Sequence, residues 1–174
     1  VVSVFVIGLT IGGVGVYALM RQNGSTVDIS RLKVFNRELA DEEVLYTNDQ
    51  YGFSFRYPNG LISKEFDEGG GSRTIVFQEP GEVTVGFQIY ITPYSESTIT
   101  GERILLDIPS RNVNNLKEEQ LTEDLLVATF YSADPFIGET KEIWFIHGGF
   151  LYEVTSHKNL ESWLGNIMET WHFI

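Results

Sequence analysis

Histidine and carboxylate side chains are the groups with which this chain could do acid–base or metal chemistry, because it contains no cysteine. His147 and His157 flank a Gly-Gly pair, and Glu142 or Glu153 could join them around a metal ion. Their spacing matches no H-E-x-x-H motif or other ligand pattern. His172 follows the last predicted helix, where a positive charge favours the helix dipole. The histidines therefore predict no metal ligand and no catalytic residue.

Adjacent carboxylates are the second candidate for chemistry. General acid–base catalysis needs a carboxyl group that burial has desolvated, because burial raises its pKa toward neutral. Each acidic group here lies in a polar stretch, which favours a hydrated surface. The calcium pattern D-x-[DN]-x-[DN]-G is absent from the sequence, so weak calcium binding is kept only as an alternative. The acidic groups are Asp41-Glu42-Glu43, Asp67-Glu68, Glu118-Glu119 and Glu123-Asp124.

Motifs for nucleophilic catalysis and for phosphate binding are also missing from the sequence. It contains no G-x-S-x-G elbow, and Gly69-Gly70-Gly71 lacks the Gly-Lys-Ser/Thr that a phosphate-binding loop requires. We therefore expect the chain not to be an enzyme and to use no cofactor. The alternative is an extracytoplasmic hydrolase, or a domain that binds a metal or a small ligand, with its site near His147 and His157. That alternative requires the two histidines to lie close together.

The charge balance limits the class of partner. The chain has 12 Lys and Arg against 24 Asp and Glu, a net charge of −12. Such an acidic surface repels phosphate backbones, so we expect no nucleic-acid partner. The lack of cysteine excludes disulfides, thiolate nucleophiles and iron–sulfur clusters.

Residues 1–20 are apolar and carry no charge, and Arg21 follows them. Twenty residues of helix at ~1.5 Å each span roughly 30 Å, the thickness of the hydrocarbon core of a bilayer. We therefore predict a transmembrane helix or signal-anchor over residues 1–21, and a polar linker over 22–43. The alternative is a cleaved signal peptide, although no A-x-A-type site is present. Arg31 and Lys33 after the span would, taken alone, favour a cytoplasmic C-terminal side.

Strand patterns dominate the remainder, residues 44–174. Tyr51, Phe53, Phe55 and Tyr57 alternate, which places four aromatic rings on one face of a strand. We interpret this row as core. Further strands or strand starts are predicted at Ile62–Phe66, Arg73–Gln78, Val83–Ile91, Leu125–Ser132, Thr140–His147 and Phe150–Val154.

Two helices are predicted as well. The first is short and covers Thr100–Ile108. The second has an apolar stripe at helical spacing, and burying its six side chains contributes roughly 9–18 kcal/mol before entropy, at about 1.5–3 kcal/mol each. The stripe consists of Leu160, Trp163, Leu164, Ile167, Met168 and Trp171.

The strand Tyr51-Gly52-Phe53-Ser54-Phe55-Arg56-Tyr57-Pro58, preceded by Tyr46 and Asn48, resembles the opening motif of PsbP-like domains, which belong to the Mog/PsbP-like fold. The end of the chain is similar too, in order and spacing. There a strand pair with Gly149 and Tyr152 precedes a helix closing on Met168 and the tail Trp171-His172-Phe173-Ile174. The resemblance covers roughly residues 44–174.

This resemblance implies an α+β fold in which helices sandwich an antiparallel β-sheet, here preceded by one N-terminal transmembrane helix. It also implies a protein-binding or scaffold domain without chemistry of its own. With the apolar span, it suggests a bacterial relative anchored in the cell membrane by a single pass, with the domain on the extracytoplasmic side. The expected function is to bind an unidentified protein or to stabilise an envelope complex. Tyr90, Tyr94 and Tyr131 are predicted as exposed contact residues.

Overall fold

The computed structural model describes residues 42–174, except residue 83 and residues 109–111, 123–124 and 135–137. The predicted membrane helix at residues 1–21 and nearly all of the predicted linker lie outside the described residues. Within the described part of the chain, no helix has both the length and the apolar character needed to cross a bilayer.

The described residues form ten strands and two α-helices. A 3-10 turn at Lys158–Leu160 leads into the second helix. In chain order the elements are β1 (Glu43–Asn48), β2 (Phe53–Pro58), β3 (Ile62–Gly69), β4 (Ser72–Gln78), β5 (Gly86–Pro93), α1 (Gly101–Asp107), β6 (Val113–Thr122), β7 (Leu125–Asp134), β8 (Gly138–His147), β9 (Phe150–His157), α2 (Glu161–Met168) and β10 (His172–Phe173).

Seven strands make one antiparallel sheet in the order β3-β4-β5-β9-β8-β7-β6. The β5–β9 pairing, with Ile89 opposite Val154, joins the two runs of hairpins. A small sheet of order β1-β2-β10 lies beside it, and Phe173 of β10 pairs with Phe53 of β2. Strand β10 therefore pairs with β2, which lies near the other end of the described chain.

One face of the large sheet packs against α2 and the small sheet. The aromatic row of β2 lies in this core, with Phe53 and Phe55 fully buried, so its interpretation as core is confirmed. Trp171 stacks on both rings, with centroid distances of 4.4 Å to Phe53 and 5.1 Å to Phe55. From α2, this core takes Trp163, Leu164 and Ile167.

The opposite face carries α1. Strand alternation turns every second residue of β7, β8 and β9 to this side, where Phe130, Trp144 and Leu151 pack with Ile104 of α1. The Thr100 side chain caps α1 by accepting a hydrogen bond of 3.1 Å from the Arg103 backbone N–H. The fold is thus rich in antiparallel sheet, with one helix on each face.

Three details differ from the sequence predictions. Strand β6 was not predicted, because its sequence is polar and the side chains of residues 114–119 lie exposed at the sheet edge. The strand predicted from Val83 begins at Gly86, since Thr84 and Val85 belong to the preceding turn. The last helix ends at Met168, so Trp171 joins the core from the chain after α2.

Candidate functional site

His147 and His157 lie at opposite ends of the β8–β9 hairpin. His147 is opposite Phe150, whereas His157 is opposite Thr140. The seven residue-to-residue steps from Phe150 to His157 span ~23 Å at about 3.3 Å per step. The His147 ring stacks on Phe173, with 3.6 Å between centroids. The alternative of a metal site that uses both histidines is therefore wrong. The described residues also contain no cluster of three or more His, Asp or Glu arranged to hold a metal.

Three acidic residues that have no acidic neighbour in the sequence are buried on the sheet face that carries α1. Asp107, Glu142 and Glu153 are 1%, 2% and 0% exposed. The described members of the adjacent acidic pairs, such as Asp67 and Glu68, are exposed, as their polar context predicted. Buried carboxyl groups therefore occur at single acidic residues and not among the described members of the acidic clusters. These three, together with Arg103, are called the buried carboxyl cluster below.

Glu142 of β8 accepts hydrogen bonds on both carboxylate oxygens. Its Oε1 accepts from the hydroxyls of Thr140 at 2.6 Å and Ser132 at 3.0 Å. Its Oε2 accepts from the Thr155 hydroxyl at 2.6 Å and Trp144 Nε1 at 3.3 Å. Burial raises the pKa of Glu142, and these four donors oppose that rise by stabilising the anion. The side chain therefore links strands β7, β8 and β9.

Glu153 of β9 meets Asp107 and Arg103 of α1. Arg103 Nε pairs with Asp107 Oδ2, and Arg103 Nη2 lies 3.8 Å from Glu153 Oε1. Burial raises the pKa of Glu153 well above its usual range, and the charge of Asp107 and a hydrogen bond to it raise it further. Burial also raises the pKa of Asp107, while the hydrogen bond from Glu153 and the Arg103 charge act against that. Burial and the neighbouring Asp107 charge therefore both favour the protonated form of Glu153.

All three carboxyl groups are buried, so none of them is presented to a substrate. Asp107 and Glu153 lie where α1 meets the sheet, and Glu142 is held by its hydrogen-bond donors on β7, β8 and β9. The Arg103 guanidinium also lies 5.5 Å from the centre of the Tyr94 ring, a cation–π contact that adds to the attachment of α1.

The three predicted contact residues do not come together. Tyr90 and Tyr94 are 5% and 9% exposed and lie on the α1 face, so the expectation that they are exposed was wrong. The Tyr94 hydroxyl donates to the Thr98 carbonyl at 2.9 Å. Tyr131 is half-buried on the opposite face, and its hydroxyl donates to Glu161 Oε2 at 2.5 Å. A contact role for any of the three stays a prediction.

Comparison with known proteins adds a structural likeness. No protein-family model matches the chain, and no curated protein matches its sequence. Among solved structures, it is similar to the solution structure of cyanobacterial PsbP (CyanoP) from Synechocystis sp. PCC 6803. The TM-score is 0.55 at 14% identity, over 76% of this chain and 92% of that one. The fold is PsbP-like. At this identity the likeness concerns the fold alone.

Within this PsbP-like fold, the buried carboxyl cluster is the feature that sequence reasoning missed. Two signals could have pointed to it. Glu153 interrupts an otherwise apolar run between Tyr152 and Val154, and Arg103 precedes Asp107 by one helical turn. Neither signal shows that the two segments meet, because their contact depends on how α1 lies on the sheet.

Proposed function

We propose that this chain is a non-catalytic, membrane-tethered extracytoplasmic domain that binds a protein partner or stabilises an envelope complex. The buried carboxyl cluster carries the proposal. An enzyme would use acidic groups with raised pKa values for acid–base catalysis. Here those groups make structural contacts instead: they attach α1 to the sheet and link strands β7, β8 and β9.

The proposal of a membrane tether is based on residues 1–20 of the sequence. Residues 1–20 carry no charge and are long enough to cross a bilayer, and a polar segment separates them from β1. A linker of this kind lets the domain stand away from the bilayer and meet a partner beside the membrane. The PsbP-like fold supports a non-catalytic accessory role only by analogy with its structural neighbour.

The outer side of α1 supports protein binding. Its core side holds Ile104 and Asp107, whereas Leu105 and Leu106 are 46% and 61% exposed on the same helix. Two adjacent exposed leucines, on a helix whose other side is attached to the sheet, are more typical of a contact surface than of a solvated one.

Membrane orientation is tested with a unique thiol, which the cysteine-free chain makes possible. Ser97 is exposed in the loop before α1, so Ser97→Cys in the full chain should react in intact cells with a membrane-impermeant maleimide. Ser156→Cys is the matched control, because position 156 is buried and should react only after denaturation. Labelling of Ser97→Cys only after the cells are permeabilised would place the domain in the cytoplasm.

Partner binding is tested by crosslinking the full chain in native membranes and identifying the products by mass spectrometry. A reproducible partner is expected. Turnover of a substrate by the purified full chain, abolished by Glu153→Gln or Glu142→Gln without loss of folding, would overturn the non-catalytic assignment.

A further inference from the structure

Two lysines lie over the Tyr131 ring on the sheet face opposite α1, and a third lies near one of them. The ammonium of Lys141 lies 4.7 Å from the centre of the Tyr131 ring, and that of Lys158 lies 5.0 Å from it. Lys117 of β6 is close enough to Lys141 for the two charges to repel each other. We call these four residues, with Glu139 and Glu161, the Tyr131 patch.

Strand register explains the gathering. Lys117 is opposite Thr129 of β7, and Lys141 of β8 is opposite Tyr131 two residues further along β7. Residues at i and i+2 share a face, so both lysines and the tyrosine point to the same side. Lys158 reaches them from the turn before α2.

Concentrated positive charge is unexpected in this protein. The chain has 12 basic residues against 24 acidic ones, yet two of the basic residues lie over one aromatic ring and a third acts on one of them. Partial burial lowers the pKa of Lys141, the Glu161 charge opposes that change, and the Lys117 charge adds to it. Its three lysines outnumber its two glutamates, so the patch keeps one uncompensated positive charge for an added anion.

The patch already accommodates carboxylates of its own. Glu161 accepts the Tyr131 hydroxyl at 2.5 Å, and Glu139 accepts from Lys158 at 3.1 Å. Both glutamates are exposed, as is Lys117, while Tyr131, Lys141 and Lys158 are part-exposed. Incoming carboxylates therefore have an open approach to Lys117 and Lys141.

We propose that the Tyr131 patch is a docking surface for an acidic segment of the partner protein, whose carboxylates bind Lys117, Lys141 and Lys158 beside the Tyr131 ring. The inference rests on the proposed protein-binding function and names the chemistry of the partner. Tyr131 supplies an amphipathic anchor, since its ring binds cations while its hydroxyl binds a carboxylate.

The test uses the full chain in detergent and a fluorescently labelled hexaglutamate peptide as the probe, with hexaglutamine as the neutral control. Hexaglutamate should bind, and more weakly as salt is raised. The double variant Lys141→Gln, Lys158→Gln should weaken binding roughly tenfold or more. Lys64→Gln is the matched control, because Lys64 lies on β3 at the other edge of the sheet and should leave binding unchanged. Unfolding curves establish that each variant folds.

Several outcomes would overturn the inference. The inference is wrong if wild type and the double variant bind hexaglutamate equally tightly. It is also wrong if hexaglutamine binds to wild type as tightly as hexaglutamate does. Binding of phosphatidylglycerol vesicles without binding of hexaglutamate would assign the patch to lipid headgroups instead. Crosslinking in native membranes separates this inference from the proposed function. If the double variant keeps the wild-type partner, the patch is refuted and the function stands; if wild type captures no partner, the function fails while the peptide titration still decides the patch.

Discussion

Glu153 of β9 and Asp107 of α1 form a buried pair of carboxyl groups, and the Arg103 guanidinium faces both. Protonation of one member is favoured in such a pair, because two ionised carboxylates side by side repel each other where little water screens them. The attachment of α1 to the sheet is therefore linked to the protonation of Glu153.

Stability should fall as pH rises because of this pair. The pKa of Glu153 is raised above its usual 4.5, so the folded protein binds more protons than the unfolded chain once the pH exceeds that value. The Glu153 contribution is therefore fully present at and below about pH 4.5 and is lost as the pH rises through the folded pKa, with a slope of at most about 1.4 kcal/mol per pH unit.

Urea unfolding of wild type and Glu153→Gln, at a series of pH values, measures this slope. Glutamine keeps the shape of the protonated acid and does not titrate, so the difference in unfolding free energy between the two proteins should change with pH. The high net negative charge affects both proteins alike and cancels in that difference. A difference that stays constant from pH 5 to pH 9 would show that Glu153 does not hold the raised pKa.

Removing Arg103 should destabilise the domain strongly. Arg103→Leu leaves Asp107 and Glu153 buried without their cation, a change that costs about 3–5 kcal/mol at neutral pH. The triple variant Arg103→Leu, Asp107→Leu, Glu153→Leu removes every charge of the set and should recover much of that loss. Chemical denaturation followed by tryptophan fluorescence gives both values. A triple variant less stable than the single one would mean that the charges themselves stabilise α1.

Glu142 should tolerate replacement by glutamine poorly, although the two side chains have the same shape. The carboxylate accepts from four donors, and an amide places its own N–H groups against some of them. We expect Glu142→Gln to cost about 1–3 kcal/mol. Glu139→Gln, at an exposed position of the same strand, should stay within about 0.5 kcal/mol of wild type in the same denaturation experiment.

Gly86 should resist substitution at the start of β5. Its φ is +155°, and a Cβ there would lie 2.2 Å from the backbone oxygen of Phe77 on β4. Gly86→Ala should therefore cost more than about 1 kcal/mol, because backbone has to move. Gly60→Ala is the control, since a Cβ at that position meets no atom within 4 Å. Equal melting temperatures for the two variants would contradict the close approach of β4 and β5.

The strands that could be predicted from the sequence were those with a single apolar face. Phe53 and Phe55 alternate with polar residues because β2 lies between the core and solvent, so local spacing records their burial. The sequence of β6 shows no such alternation, because the side chains of residues 114–119 lie exposed at the sheet edge. The fold predicted from the motif order was confirmed at the level of a PsbP-like arrangement.

The buried carboxyl cluster was beyond prediction for a different reason. Asp107 and Glu153 are far apart in sequence, and each is an ordinary acidic residue in its own segment. Their burial and raised pKa values arise when α1 lies across β9, which is a property of tertiary packing. The error over Tyr90 and Tyr94 has the same origin, because α1 and its preceding loop cover a face that the strand pattern left open.

The pairing of β10 with β2 completes the largest core from two distant parts of the chain. Phe173 pairs with Phe53, and Trp171 covers the rings of Phe53 and Phe55. Residues 53–55 and 171–173 therefore have to be present together before this core can close. A chain cut before residue 171 would leave two fully buried phenylalanine rings without their cover.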